Sequence, residues 1–417
     1  MRHIGEQQIE NDLNELRRNT KPEFNNISRS IKTEDILLTL GSNFLTNRTI
    51  SSVHDDRMVE GVYQLHILPN GPVSGAVCLD GSPPGFYLRN GSGLGKSKWI
   101  VFFQGGAWCH DADTCYQRSY TALGSSKCFR GHLHHEGLLS SQVKYNPDFN
   151  TWTSVFVPYC DGASYTGNRE KPLKVKNKLL YFRGRRILDA ILDELLRRGI
   201  DNASEIILSG ASAGALSAII NADYIRSRFR RATNASFRVL ADAGFFVDAP
   251  ALNGIEIMRS IFRQMSSLHN SSTSLNHACL HAQEREQEWR CFFPQYSLPF
   301  VASPVLLVNS LYDEWQIAHL SNIRCVWNIK TCNSTELRHI MKFGEKTFHA
   351  LRSVFDSSNE TAVFADSCLV HTQCNTNALW TKIQLKNVTI AQAFANWYRG
   401  GDEDRFRTEY SHPYNLT

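Results

Sequence analysis

Short apolar runs rich in β-branched and aromatic residues recur along the middle of the chain. They lie at 99–103, 153–157, 205–209, 239–241 and 304–309. Runs of this length without polar alternation are typical of central strands that are buried on both faces. The segments between them have lengths that suit right-handed β-α-β crossovers. The pattern therefore predicts an α/β fold built on a mostly parallel, doubly wound sheet flanked by helices.

The clearest helix signal lies between two of these strands. Apolar residues recur every three or four positions over 179–198, and Gly199 follows as a stop signal. The chain shows no internal repeat and no low-complexity tract. We therefore expect one large domain over 56–400, with a polar extension over 1–55 and a polar tail over 401–417.

The run at 205–209 leads directly into the pentapeptide GASAG, which has Ser212 at its centre, and then into a helical segment. A G-x-S-x-G motif between a strand and a helix is typical of a nucleophile turn, which exposes the serine hydroxyl at the sheet edge. Ser212 is therefore the candidate nucleophile. An ordinary strand-to-helix turn rich in glycine and serine is the alternative interpretation of the bare pattern.

A serine hydroxyl needs a histidine base and a third group that orients the imidazole. Asp313 lies just past the run at 304–309, where active-site groups of open α/β sheets gather. A helix N-cap is the alternative role for Asp313. His349 and His371 both follow it in the chain, and their order alone does not favour one over the other.

Acyl transfer also needs backbone N–H groups that are aimed at the developing oxyanion. The N–H of Ala213, next to the candidate nucleophile, is one source. The turn after the first core strand, which contains Gly106 and Ala107, is the natural second source. A tight exit from the strand is the alternative explanation for these glycines.

The charge of the chain limits the classes of partner. A net charge of +5 over 417 residues is a mild basic excess. It argues against a dedicated nucleic-acid binder and is compatible with an acidic polymer as substrate. The histidines at 132, 134 and 135 have no acidic or cysteine partner at ligand spacing, so we expect no metal site there. No apolar run reaches 18 residues, so we expect no membrane span.

The chain has the cysteine and sequon content of a secreted protein. Of its eleven cysteines, three local pairs are predicted to close short disulfide loops, namely Cys109/Cys115, Cys325/Cys332 and Cys368/Cys374. The odd number leaves at least one thiol outside an intramolecular disulfide. Sequons of the form N-x-[ST] occur at Asn26, Asn47, Asn90, Asn202, Asn234, Asn270, Asn333, Asn359, Asn387 and Asn415. The first 24 residues contain no apolar signal segment, but the cysteines and sequons weigh more, and we expect secretion.

Several longer motifs appear together and in order. They include AVCLDGSPPGFYL, GGAWC, ILSGASAGALSAI, VLADAGFFVD, CFFPQY, YDEWQI and FADSCLVHTQC. By these motifs the chain resembles plant pectin acetylesterases, within the wider pectin acetylesterase and Notum group of ester hydrolases, over about 77–397. It departs from the usual pattern at Ala211 and Ala215, which replace cysteine and glycine, and at Ala107, which replaces a third glycine. The cysteine at 128 is an extra one and a candidate for the unpaired thiol.

The resemblance implies an α/β-hydrolase-like fold with disulfide-bearing loops and a triad of Ser212, Asp313 and His371. It also implies an oxyanion hole formed by the backbones of Gly106, Ala107 and Ala213. The implied activity is that of a carboxylesterase that removes O-acetyl groups from galacturonan in the cell wall, as a monomer and without metal or organic cofactor. A Notum-like hydrolase of longer acyl chains and a silent polysaccharide-binding protein on the same fold are the alternatives.

Overall fold

The computed structural model describes residues 61–229, 236–401, 405–409 and 413. The strands within these residues are β1 (Tyr63–Ile67), β2 (Gly85–Arg89), β3 (Lys98–Phe103), β4 (His132–Leu133), β5 (Thr153–Val157), β6 (Leu173–Val175), β7 (Lys178–Leu180), β8 (Glu205–Ala211), β9 (Ser236–Asp242), β10 (Val305–Ser310), β11 (Thr361–Asp366), β12 (Gln384–Leu385), β13 (Val388–Thr389) and β14 (Phe406–Thr408). The α-helices there are α1 (Gly71–Ser74), α2 (Ala112–Arg118), α3 (Gly184–Arg197), α4 (Ala213–Arg228), α5 (Ile257–His269), α6 (His277–Ala282), α7 (Pro294–Ser297), α8 (Glu314–Leu320), α9 (Ser334–Ser357), α10 (Asn377–Lys382) and α11 (Ile390–Tyr398). The predicted extension over 1–55 lies outside the described residues.

Ten of the described strands form one sheet in the order β14-β11-β10-β9-β8-β3-β5-β2-β1-β4. The pairs from β14 to β5 are parallel, and the pairs from β5 to β4 are antiparallel. The predicted apolar runs coincide with β3, β5, β8, β9 and β10. The α/β fold with a mostly parallel sheet is therefore confirmed.

Side chains of alternate residues in β3 pack into two different cores. Trp99, Val101 and Phe103 belong to the larger cluster, which includes the buried faces of α3 and α4. Ile100 and Phe102 belong to a second cluster, which includes α11. Because successive side chains of a strand point to opposite faces, this division means that helices cover the sheet on both sides.

The chain leaves the neighbouring strands β3 and β8 toward opposite sides of the sheet. From β3 it continues to β5 on one side and later returns to β8 on the other side. The loops that leave β3 and β8 therefore diverge and open a crevice at the carboxyl ends of the strands. Ligand sites of doubly wound sheets form at such a switch point.

Disulfide bonds join four cysteine pairs, and all eleven cysteines lie within the described residues. Cys109–Cys115 and Cys325–Cys332 were predicted, whereas Cys78–Cys160 and Cys279–Cys291 were not. The predicted pair Cys368/Cys374 is wrong, because the structure forms no bond between these sulfurs. The thiol of Cys374 instead hydrogen-bonds with Asp242, and that of Cys368 with Asp366. Cys128 is an exposed free thiol, as predicted.

The predicted polar tail contains a strand. Phe406–Thr408 form the edge strand β14, which pairs with β11.

None of the helices in the described part of the chain is both long and apolar enough to cross a membrane.

Replacing both cysteines of Cys78–Cys160 with alanine is expected to destabilise the fold more than the same change at Cys109–Cys115. The two bonds close sequence separations of 82 and 6 residues. In the chain-entropy account, this difference corresponds to about 2 kcal/mol in the free energy of unfolding. Denaturant unfolding measures the free energy of unfolding of each double variant. Cys128→Ala is the control for losing a thiol, and equal losses in the two double variants would contradict the prediction.

Candidate active site

Ser212 lies at the turn between β8 and α4, in a backbone conformation that a non-glycine residue rarely adopts (φ 56°, ψ −124°). The turn requires both glycines of the motif. A Cβ at Gly210 would collide with the carbonyl oxygen of Gly214, and a Cβ at Gly214 would collide with that of Phe103. The Ser212 N–H donates to the carbonyl oxygen of Asp242 at 2.8 Å. The sequence therefore forces a strained turn that the neighbouring strands hold in place.

His371 lies between Ser212 and Asp313. The Ser212 hydroxyl donates to His371 Nε2 at 2.8 Å, and His371 Nδ1–H donates to Asp313 Oδ2 at 2.8 Å. The carboxylate can only accept, so it fixes the tautomer that leaves Nε2 free to take a proton. His349 instead lies exposed on α9. Of the two histidines that chain order left open, the structure brings His371 to the serine.

Asp313 follows β10 directly and also caps the N-terminus of α8. Its Oδ1 accepts from the Gln316 N–H at 3.0 Å, and its Oδ2 accepts from the Gln316 side-chain amide at 3.2 Å. The carboxyl group is completely buried. The N-cap that the sequence offered as an alternative role is therefore present together with the histidine contact, because the two oxygens serve different donors.

Acidic groups surround His371 and shift its protonation. Burial lowers the pKa of the imidazole, but the charge and hydrogen bond of Asp313, assisted by Asp242 and Glu314, outweigh it, so the pKa of His371 lies above 6.5. Burial and the nearby Asp313 charge raise the pKa of Glu314 to about 7. Burial likewise raises the pKa of Asp242 to about 7. Three carboxyl groups therefore act on one imidazole, and burial favours the neutral form of two of them.

Asp242 is a residue of this site that the sequence did not identify. Its carboxylate, at the end of β9, accepts from the backbone N–H groups of Gln373 at 2.9 and 3.0 Å and of Cys374 at 2.8 Å. It thereby holds the loop that carries His371. The position of Asp242 at the end of a buried strand, in the motif VLADAGFFVD, was the available signal.

The turn after β3 packs against Ser212. A Cβ at Gly105 would meet Ala211 and Ser212, so only glycine fits there. Gly106 and Ala107 have φ values of 142° and 50°, in the region that favours glycine. Within the described residues, no acceptor is bonded to the N–H groups of Gly106, Ala107 or Ala213. These donors are available beside the serine.

Buried side chains hold these backbone groups from behind. Arg118, which is 3% exposed, donates from Nη1 to the Gly106 carbonyl oxygen at 2.8 Å. Trp108 Nε1–H donates to Ser164 Oγ at 2.8 Å, and the Ser164 hydroxyl donates to the Ala213 carbonyl oxygen at 2.8 Å. The bonds from Arg118 and Ser164 engage carbonyl groups and leave the N–H groups of Gly106 and Ala213 free.

Aromatic rings enclose the histidine. Trp315 stacks on His371 with centroids 5.6 Å apart, and Phe246 lies 6.4 Å from it. Trp108 lies edge-on to Phe246 at 4.8 Å and to Trp315 at 6.2 Å. The imidazole therefore has aromatic neighbours, and His371 is 9% exposed.

Two groups of potential metal ligands occur in the described residues, and both contain disulfide sulfurs. One joins Cys109 and Cys115 with His269, and the other joins Cys325 and Cys332 with Glu336. An oxidised cysteine pair provides no thiolate for a metal ion. Of the three histidines over 132–135, His132 and His134 are exposed, and His135 packs on Tyr63 and Phe156.

Known proteins resemble this chain over most of its length. The family model described as Pectinacetylesterase matches residues 58–417. Pectin acetylesterase 5 of Arabidopsis thaliana is 36% identical over 337 residues, which are 78% of this chain and 77% of that protein. Pectin acetylesterase 7 of the same plant is 36% identical over 82% of this chain and 88% of its own length.

Animal carboxylesterases share the same fold. Palmitoleoyl-protein carboxylesterase notum2 of Xenopus laevis is 30% identical over 84% of this chain and 70% of its own length. The crystal structure of the Wnt deacylase Notum from Drosophila superimposes with a TM-score of 0.72 at 26% identity, over 84% of this chain and 97% of that one. Since the family model covers most of the chain and the plant relatives exceed 30% identity over more than three quarters of it, this carboxylic ester hydrolase belongs to the pectinacetylesterase family.

Proposed function

We propose that this protein is a serine esterase that removes O-acetyl groups from pectin. Ser212 is the nucleophile, and His371 is the general base and acid. Asp313 orients the imidazole and stabilises its protonated form. The observation that carries this proposal is the pair of 2.8 Å hydrogen bonds that connects the three side chains at the carboxyl edge of the sheet.

The reaction proceeds through an acetyl-enzyme. His371 Nε2 takes the Ser212 proton as the oxygen attacks the acetyl carbonyl carbon, and the carbonyl oxygen becomes negative. The tetrahedral intermediate then collapses, and His371 returns the proton to the departing sugar hydroxyl. A water molecule, deprotonated by the same imidazole, attacks the acetyl-enzyme and releases acetate and free Ser212.

The N–H groups of Gly106, Ala107 and Ala213 form the oxyanion hole in this proposal. Their free donors next to the serine, and the hydrogen bonds that hold the carbonyl groups of Gly106 and Ala213, support that role. Donors that are fixed before the reaction stabilise the oxyanion without having to reorganise. Ala213 also begins α4, where the helix dipole favours negative charge.

The aromatic enclosure supports a short acyl group rather than a long one. Trp315 contacts both Trp108 and the imidazole, and Phe246 contacts Trp315 as well. We expect this group of rings beside His371 to accept an acetyl group more readily than a long acyl chain. We therefore favour acetyl over the palmitoleoyl group that the names of the Notum relatives specify.

The proposed polymer substrate lies in the cell wall, and we propose that the protein is secreted. Four disulfide bonds support this location. The sequon asparagines that the structure describes are all exposed and therefore accessible to glycosylation, namely Asn90, Asn202, Asn270, Asn333, Asn359 and Asn387.

Ser212→Ala is expected to reduce the hydrolysis of 4-nitrophenyl acetate and the release of acetate from acetylated pectin by at least about 10⁴-fold in kcat. Loss of the nucleophile leaves only binding and the oxyanion donors. The matched control is Ser227→Ala, which removes a hydroxyl from the exposed end of α4. A Ser212→Ala variant that keeps activity, or a wild-type protein without turnover, would contradict the proposed function.

The acid limb of the pH–kcat/KM profile is expected to have its midpoint above pH 6.5. A raised pKa means that His371 is protonated, and lost as a base, at a higher pH than an ordinary histidine. Asp313→Asn removes the charge that raises this pKa. It should move the limb to lower pH and reduce kcat by about 10⁴-fold.

Glu314→Gln is the comparison variant for this experiment. It removes a more distant charge and leaves the hydrogen bond between Asp313 and His371 intact, so a smaller shift of the limb is expected. An acid limb that stays in place in Asp313→Asn, measured on residual activity, would show that another group controls it.

Trp315→Ala is expected to raise the ratio of kcat/KM for 4-nitrophenyl octanoate over 4-nitrophenyl acetate by about tenfold, because it opens space beside His371. Initial rates with both esters measure this ratio. A wild-type enzyme that already hydrolyses the octanoate as well as the acetate would rule out the proposed preference for a short acyl group.

A further inference from the structure

A row of aromatic rings leads from the catalytic histidine to the surface. Trp315 stacks on His371, and His319 stacks on Trp315 with centroids 5.0 Å apart and planes at 24°. Trp327 follows His319 at 6.0 Å, edge-on. The rings become more accessible along the row, and Trp327 is 46% exposed. The row therefore connects the reacting centre with solvent through aromatic surface alone.

The outermost ring is displayed by a segment that cannot easily rearrange. Residues Arg324–Thr331 form two short 3-10 turns across a kink at Asn328, and the Cys325–Cys332 disulfide closes this segment. Val326 and Ile329 point into the core. Trp327, between these two anchors, is left on the outside. Trp327 therefore presents an aromatic face to solvent on a segment that the disulfide and the two buried side chains hold in place.

The charge around this ring is positive. Over 315–335 the chain contains Arg324 and Lys330 and no aspartate or glutamate. Both cations are exposed, and neither forms an ion pair within the described part of the chain. Arg324 begins the segment that carries Trp327, and its charge contributes to the lowered pKa of His319, after burial and the charge of His371.

The acidic residues that flank this segment in the sequence are engaged elsewhere. Glu336 accepts from the Asn333 N–H in the N-terminal capping box of α9. Glu314 faces Asp313 and His371 at the reacting centre. Arg324 and Lys330 are therefore the charges that a ligand on Trp327 would meet.

We propose that Trp327 and Arg324, at the outer end of this aromatic row, form an outer platform that binds uronate units of the substrate chain next to the unit being deacetylated. The apolar face of a pyranose ring, whose C–H groups are slightly positive, packs on the negative face of an aromatic ring. A uronate also carries a carboxylate, for which the fork of donors on arginine is well suited. The proposal rests on the proposed function, which places an acidic polysaccharide at Ser212, and it adds where the neighbouring units lie.

The platform is tested by comparing a polymeric with a small substrate. Trp327→Ala and Arg324→Gln are each expected to lower the ratio of kcat/KM for acetylated oligogalacturonate over that for 4-nitrophenyl acetate about tenfold, mainly through KM. Trp327→Phe, which keeps an aromatic face, should recover most of the loss. The controls are Tyr120→Ala and Arg130→Gln, an exposed aromatic residue and an exposed arginine outside the platform, which should leave the ratio unchanged.

A second measurement separates this proposal from the proposed function. Calorimetry measures the binding of unacetylated oligogalacturonate to the Ser212→Ala variant. This binding requires the platform but no hydrolysis. We expect Trp327→Ala to weaken this binding about tenfold. High salt should abolish the binding of the chain with free carboxylates but not that of the methyl-esterified chain, because salt screens charge–charge attraction.

Three outcomes would overturn the platform, namely no change in the ratio for either variant, equal losses with both substrates, or binding that is independent of Trp327. An enzyme that fails to release acetate from pectin but binds oligogalacturonate through Trp327 would overturn the proposed function and leave the platform standing.

Discussion

A fully buried carboxylate, that of Asp313, sets the geometry on which the site depends. A negative charge without exposure to water is tolerated only when donors surround it. Three donors contact this carboxylate, namely the backbone N–H of Gln316, the side-chain amide of Gln316 and the imidazole of His371. The need to satisfy this charge orients the imidazole, and the orientation leaves Nε2 facing Ser212. Asp313 therefore both caps helix α8 and fixes the tautomer of His371, so a substitution that removes one of these roles also removes the other.

The second constraint is steric and lies in the backbone around Ser212. The glycines of the motif are required because neighbouring backbone oxygens occupy the space of any side chain. The same close approach brings the turn after β3 against the serine. Arg118 holds that turn through the Gly106 carbonyl, and Ser164 holds the residue after the serine through the Ala213 carbonyl. Strain in the turn is thus balanced by contacts from distant parts of the chain, which a rigid sheet brings together.

Sequence reasoning predicted the features that depend on local pattern. Runs of apolar residues predicted the central strands, and a motif between a strand and a helix identified Ser212. Asp313 was found because it follows a strand that ends at the same edge. His371 was harder, since a histidine in a loop carries no periodic signal, and only the resemblance to a family separated it from His349.

Features that depend on the folded arrangement were missed. The Cys78–Cys160 bond spans 82 residues, and only the sheet brings its ends together. The pairing of Cys368 with Cys374 was inferred from short spacing alone, whereas each thiol meets an aspartate. Asp242 escaped notice because an acid at a strand end is common, and its task depends on a loop that lies 131 residues further along.

The edge strand near the carboxyl end supports the strand and the loop that carry His371. The Arg405 carbonyl oxygen accepts from the Val363 N–H, and the Ser367 hydroxyl donates to the Glu409 carbonyl oxygen at 2.6 Å. Both contacts grip β11 and the start of the loop that carries the imidazole. Shortening the protein before residue 405 would leave this edge of β11 unpaired and would remove the Glu409 contact from Ser367, at the start of the loop that carries His371.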